Sequence, residues 1–238
     1  YWSTASPDDL STVDPHGLLT LSRLPLWSAE ITTLGKKKFA VVASVAVGPE
    51  ETAAVANVHL SSDTRGSCAE QRRGQLRHTE ALASRKAGGA GLSLVLGDFN
   101  AEEEPHFGRP FRDAWLECHG GHDQGYTHDP TANLTCRHIV ERLNSGKGPR
   151  RLDRICLSAP CVWHPQEAAL LGASPFRLPA ADGHGDWFVS DHFGVACMLK
   201  RETPWQASVC ADQPRLRGPA GCLPDRIIEA LKLSGAQP

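Results

Sequence analysis

A short apolar run ends abruptly in clustered polar side chains at 92–100, "LSLVLGDFN", and this constrains the chain more than any other stretch. The run reads as a buried strand, and a charge buried unpaired at its end costs several kcal/mol, on the order of ~2–7 kcal/mol even for a neutral polar group. Such residues persist where they are paired, at a rim, or used. Side chains on a strand repeat every second residue, so Asp98 and Asn100 aim at one side while Phe99 points to the other and can pack. Gly97 lets the backbone turn beside them. The same oddity recurs in "ANVHL" with Asn57 and His59, in "RLDRI" with Asp153, and in "VSDHFG" with Asp191 and His192. Each alone is a turn former or a cap. Together they predict strand ends converging on one polar site.

The segments between them alternate strand and helix. "LLTLSRLPLW" reads as a strand closed by Pro25, and "KFAVVASVAV" with "TAAVANVHL" as an antiparallel hairpin around "GPEE". Residues 69–86, "AEQRRGQLRHTEALASRK", carry apolar residues at helical spacing and stop at "AGGAG". "RLDRICLS" at 151–158 and "FVSDHFGVACML" at 188–199 supply later strands. This is the pattern of an α/β layered domain over residues 1–200, with 201–238 a tail carrying the short amphipathic piece "PDRIIEALKL".

A formal net charge of −2 over 238 residues gives no bulk argument for a polyanionic partner. The basic runs "GKKK" at 35–38 and "GKGPRR" at 146–151 read as solvated turns. No window approaches the ~18 apolar residues of a membrane span. Eight cysteines lack paired C-x-x-C spacing and read as reduced thiols, which places the protein inside the cell, in nucleus or cytoplasm. "CHGGHDQGYTHDPTANLTCRH" holds two Cys and four His, but its spacings fit no zinc pattern. "NLT" at 133–135 is a glycosylation sequon only in a secreted chain.

The ordered set "LLTLSRLPL", "NVHL", "RRGQL", "LGDFN", "RLDRI" and "SDHFG" resembles the endonuclease/exonuclease/phosphatase superfamily of metal-dependent phosphoester hydrolases, over about residues 17–199. "HLSSDTRGSCAEQRRGQL" and "FRDAWLECHGGHDQGYTHD" resemble its 5′-tyrosyl-DNA phosphodiesterase branch. Where that branch carries an aromatic residue after the Tyr-Thr pair, this chain has His128. The superfamily also begins with strands bearing an asparagine and a metal-binding glutamate. Neither lies in residues 1–17, and Glu30, Glu50 and Glu51 come too late in the order to serve. The chain is therefore expected to lack the first strands of the domain.

The resemblance implies a four-layer α/β/β/α sandwich and a Mg2+- or Mn2+-dependent phosphodiesterase acting on nucleic-acid ends or protein–DNA/RNA linkages, as in DNA repair. It assigns catalysis to Asp98, Asn100, His192, Asp153 and His59. Asp191 and Asp98 would touch the metal, and Arg65, Asn57, Thr127 and His128 would bind substrate. Arg72 stands between a phosphate donor and a structural residue. Two alternatives remain open at this point: a phospholipid or phosphoinositide phosphodiesterase or phosphatase of the same superfamily, and an inactive fragment or scaffold without the glutamate.

Overall fold

A computed structural model describes residues 1–5, 17–48, 51–63, 66–88, 91–177 and 186–202. Arg65, Glu50, all but the first two residues of the expected 201–238 tail and its helix lie outside the described residues. Two short strands, β1 (Trp2–Ser3) and β2 (Leu21–Ser22), pair antiparallel near the start. The main sheet has six strands in the order β3-β4-β5-β6-β8-β7. Their ranges are β3 Leu26–Gly35, β4 Lys38–Ala46, β5 Thr52–His59, β6 Ser93–Asp98, β7 Phe111–Asp113 and β8 Asp153–Ser158. All neighbours run antiparallel except β5 and β6, which are parallel and joined through helix α1 (Ala69–Ala87).

The sheet's two faces are set by side-chain alternation. Ala54, Ala56 and Val58 of β5, with Ala40 and Val42 of β4, turn toward α1 and pack with its Leu76, Leu82 and Ala83. Small side chains on the strands let the helix lie close. The opposite face carries a second cluster, in which Leu94, Ile155 and Leu157 meet Trp163, Cys197 and Leu199. Trp163 belongs to β9 (Trp163–Leu171), and Cys197 and Leu199 to β12 (Gly194–Arg201), which pair antiparallel. Helix α2 (Ala114–His119) packs against β9 and the β7–β8 edge, and α3 (Leu134–Arg142) contacts β11. Strands β10 (Phe176–Arg177) and β11 (Asp186–Trp187) pair with each other. The fold is thus the expected mixed α/β sandwich.

Several local readings differ. Residues 18–27 do not form one strand: β3 starts only after Pro25, which has no N–H to give although its carbonyl still accepts from the Ala46 N–H, and it runs on to the β3–β4 turn. The "GKKK" run is that turn, with Lys37 at φ 59°. Of 188–199, only Gly194 onward is strand, so Asp191 and His192 sit on the loop that feeds β12. Strand β9 and helices α2 and α3 complete what the periodicity of the sequence left as connections.

A buried ion-pair cluster fastens β7, α2 and β8. Asp113 caps α2, its Oδ1 accepting from the N–H groups of Trp115 and Leu116. Its Oδ2 accepts from Arg151, and from Arg154 at 3.1 Å. Asp113 and Arg154 side chains are 5% and 2% exposed, so loss of one charge strands the other away from water. Asp113→Asn is expected to destabilise the protein by roughly 3–5 kcal/mol in urea unfolding; a change under about 1 kcal/mol would show that the cluster contributes little.

Candidate functional site

Strand register builds the site. Across β5, β6 and β8, His59 is the partner of Asp98, and Asp98 the partner of Asp153. Adjacent strands lie about 4.8 Å apart, so the three side chains form a row at one end of the sheet on the face turned away from α1. Gly97 makes the row possible: a Cβ there would lie 2.1 Å from the Val58 carbonyl oxygen, and its φ is +123°. Phe99, on the other face, is fully buried against the α1 core.

His192 enters the row from its loop. Its Nδ1 lies 2.7 Å from Oδ2 of Asp153, and the ligand atoms of Asp98, Asp153 and His192 all fall within 4.8 Å of one another. His59 Nε2 is 3.5 Å from Asp98 Oδ2, with its side chain about half exposed. Asn100, at φ 50°, folds back on Asp98. Its backbone N–H donates to Oδ1 at 2.7 Å, and its Nδ2 donates to Oδ2 at 3.0 Å and to the Leu60 carbonyl at 3.1 Å. The structure therefore gathers all five residues expected to carry catalysis.

The residues expected to bind metal or substrate are distributed differently. Asp191 stands outside the three-residue cluster and accepts from Ser190 Oγ at 3.4 Å. Asn57 faces the same side as His59, but its Nδ2 donates to Leu19 O and Thr20 Oγ1, tying down the segment before β2. Thr127 is fully buried, and its Oγ1 accepts from the N–H groups of Leu152 and Asp153 at 3.0 and 3.1 Å. It is a pin beneath the site. His128 is 7% exposed; its ring meets His192 edge-on at 5.3 Å and receives Nη2 of Arg150 at 3.2 Å. Arg72 is structural: 3% exposed, it pairs with Asp63 at 2.7 Å and Glu103 at 2.8 Å and donates to Ser61 O.

Two supports have no separate signature in sequence. The Phe193 N–H donates to Thr127 O at 2.7 Å, so one threonine grips both the β8 start and the His192 loop. Asn133, fully buried, caps α3 through Oδ1 to the Cys136 N–H and holds Ser190 O through Nδ2 at 2.9 Å. The helix-start pattern "ANLT" signals the cap; nothing local signals the bond to Ser190. The His and Cys residues of 118–138 do not form a metal cluster among the described residues, where Asp98, Asp153 and His192 are the one such group. Glu30 pairs with Lys86, and Glu51 with Arg201 and Trp163, so both are committed elsewhere.

Burial, reinforced by the Asp153 charge, lifts the Asp98 carboxyl from 3.8 to about 6, against the pull of His192, the Asn100 N–H and Lys38. Burial opposes charge on His192, yet its hydrogen bond to Asp153 and the charges of Asp153, Asp98 and Asp191 prevail and raise its pKa. Two carboxylates and an imidazole crowded in this way suit a divalent cation, whose charge relieves the repulsion and whose preference is for oxygen ligands.

The sequence model for the Endonuclease/Exonuclease/phosphatase family matches residues 7–192. No curated protein sequence matches the chain. Among solved structures, truncated TDP2 from Caenorhabditis elegans is similar at TM-score 0.55 and 20% identity, covering 74% of this chain and 66% of that one. D. rerio TDP2 humanized by 14 mutations gives 0.56 and 22%, covering 75% and 68%. An endonuclease/exonuclease/phosphatase family protein from Bacteroides thetaiotaomicron gives 0.55 and 14%, covering 76% and 66%. The chain thus spans about two thirds of the length of these structures.

The raised pKa of Asp98 means that the folded protein takes up its proton more readily than the unfolded chain. Without metal, the cost of its charge is absent below about pH 4 and complete above about pH 6. The contribution of His192, raised in the folded state, is likewise present at low pH and lost as pH rises through its folded pKa. In chelator, the stability of Asp98→Asn relative to wild type should therefore gain about 3 kcal/mol between pH 4 and pH 7.5 in urea unfolding. A difference flat with pH would contradict the assigned burial and charge.

Proposed function

The chain belongs to the endonuclease/exonuclease/phosphatase family, and from that footing we propose that it is a divalent-metal-dependent phosphodiesterase acting on nucleic-acid ends or on protein–nucleic-acid linkages. The observation that carries this reading is the convergence of Asp98, Asp153 and His192 within 4.8 Å, from two sheet strands and a distant loop. The preference for nucleic acid is supported by the similarity to TDP2 structures. One of these is D. rerio TDP2 complexed with a single-strand DNA product, at TM-score 0.52 and 22% identity.

Asp98 would hold a Mg2+ or Mn2+ ion beside Asp153 and His192, with Asp191 joining from the loop. When bound, such an ion polarises the phosphoryl oxygen and offsets the charge that develops in the transition state. The residues of the chain do the rest. Asp98, its orientation fixed by two donors from Asn100, would take a proton from the attacking water. Asp153 holds the His192 ring through Nδ1, which directs Nε2 to the phosphoryl oxygens or the leaving group. The hydrogen bond and charge of Asp153 raise the pKa of that imidazole against its burial, which favours the protonated form that can donate. His59, half exposed beside Asp98, would donate to a second phosphate oxygen.

The test is turnover of a 5′-tyrosyl oligonucleotide by the full chain in Mg2+, with a phosphoinositide in a parallel reaction. Release of a 5′-phosphorylated strand is expected, with kcat lowered about 10²–10⁴-fold in Asp98→Asn. Turnover of the lipid alone, or of neither substrate, would reject the nucleic-acid reading.

A further inference from the structure

The buried arginines around the site are not equally compensated. Arg72 meets Asp63 and Glu103 within 2.8 Å, and Arg154 meets Asp113 at 3.1 Å. Arg150 differs. Its side chain is only 14% exposed, yet its carboxylate neighbour is Glu102, 67% exposed and 3.8 Å away. Its Nη2 is spent on an imidazole, at 3.2 Å from both ring nitrogens of His128, and an imidazole is no anion. A guanidinium taken out of water calls for a close anion, and its planar fork matches carboxylate or phosphate oxygens.

The position of Arg150 is fixed by the backbone. His128 and Arg150 form an antiparallel bridge, the His128 N–H donating to Arg150 O at 3.0 Å and the Arg150 N–H to His128 O at 2.8 Å. The His128 ring stands edge-on to His192, whose Nδ1 bonds to Asp153. The guanidinium is therefore one aromatic ring away from the reacting cluster.

We propose that Arg150, steadied by His128, is a subsite for a second phosphate of the substrate strand, the one next to the scissile ester, and that Glu102 occupies this subsite until substrate displaces it. This rests on the phosphodiesterase reading for its choice of ligand. It adds a requirement for a polyanionic strand, and it gives a role to a basic run that reads in sequence as a solvated turn.

Binding without turnover tests it. Fluorescence anisotropy of the full chain in chelator is measured with a labelled single-stranded pentathymidylate and with the same oligomer carrying uncharged methylphosphonate linkages. Arg150→Met should weaken binding of the phosphodiester oligomer about tenfold, cut the slope of log affinity against log salt by about 0.7, and leave the methylphosphonate affinity within about twofold. Arg150→Lys should recover part of the loss. Glu102→Gln, a surface change that leaves the bridge intact, should strengthen binding about threefold. Equal losses on both oligomers, no gain in Glu102→Gln, or no binding of the charged oligomer by wild type would overturn the proposal. The hydrolysis assay is read separately: a chain that binds through Arg150 but turns over no ester would keep the subsite and reject the phosphodiesterase.

Discussion

Two carboxylates, Asp98 and Asp153, are forced to face each other by the pairing of β6 with β8, and neither strand can slip to separate them. A one-residue shift would turn the alternating core residues Val95 and Cys156 out of the α1 layer and drive Leu94 and Leu157 into it. The hydrophobic pattern of the sheet therefore holds an electrostatically unfavourable contact in place. His192 offsets part of that repulsion, and burial, together with what is left of it, raises the pKa of Asp98. A site of this kind gives up stability in its metal-free form in exchange for readiness to bind a cation and move a proton.

Such crowding requires the surroundings to be stiff. The Thr127 hydroxyl and carbonyl bind three backbone N–H groups, from Leu152, Asp153 and Phe193, and join β8 to the loop of His192. Asn133 holds the same loop from α3. On the other flank, residues 102–104 lie one residue beyond Asn100, and each glutamate faces an arginine: Glu102 with Arg150, Glu103 with Arg72, and Glu104 with Arg151 and Arg154. The turn carrying Asp98 and Asn100 is thereby moored to α1 and β8. Of these contacts, the one between Glu102 and Arg150 is the longest and among the more exposed, so it is the one a substrate anion can replace.

Much of this is legible in the sequence. The hairpin of β4 and β5, helix α1 and strands β6 and β8 follow from periodicity and turn residues, because their alternation is local and strong. Asp98, Asn100, Asp153 and His59 were visible as polar ends of buried strands. Thr127 and Asn57 were harder to read. A buried hydroxyl that accepts backbone N–H groups looks, in sequence, like one that meets substrate. The pairing of Asp113 with Arg151 and Arg154 leaves no spacing rule in the chain. Strand β9 has no clear strand signal in the sequence, because His164, Pro165, Gln166 and Glu167 interrupt its apolar pattern, and its other edge is unpaired among the described residues.

The central claim is that the Asp98 carboxylate, crowded by Asp153 and His192, is a cation ligand that still carries part of a proton near pH 6. Calorimetric titration of the full chain with Mn2+ at pH 6, in two buffers of different ionisation enthalpy, addresses it directly. The account predicts saturable binding that releases a substantial fraction of one proton, and loss of both the binding and the release in Asp98→Asn. Binding of equal strength in the variant, or binding with no proton released, would contradict it.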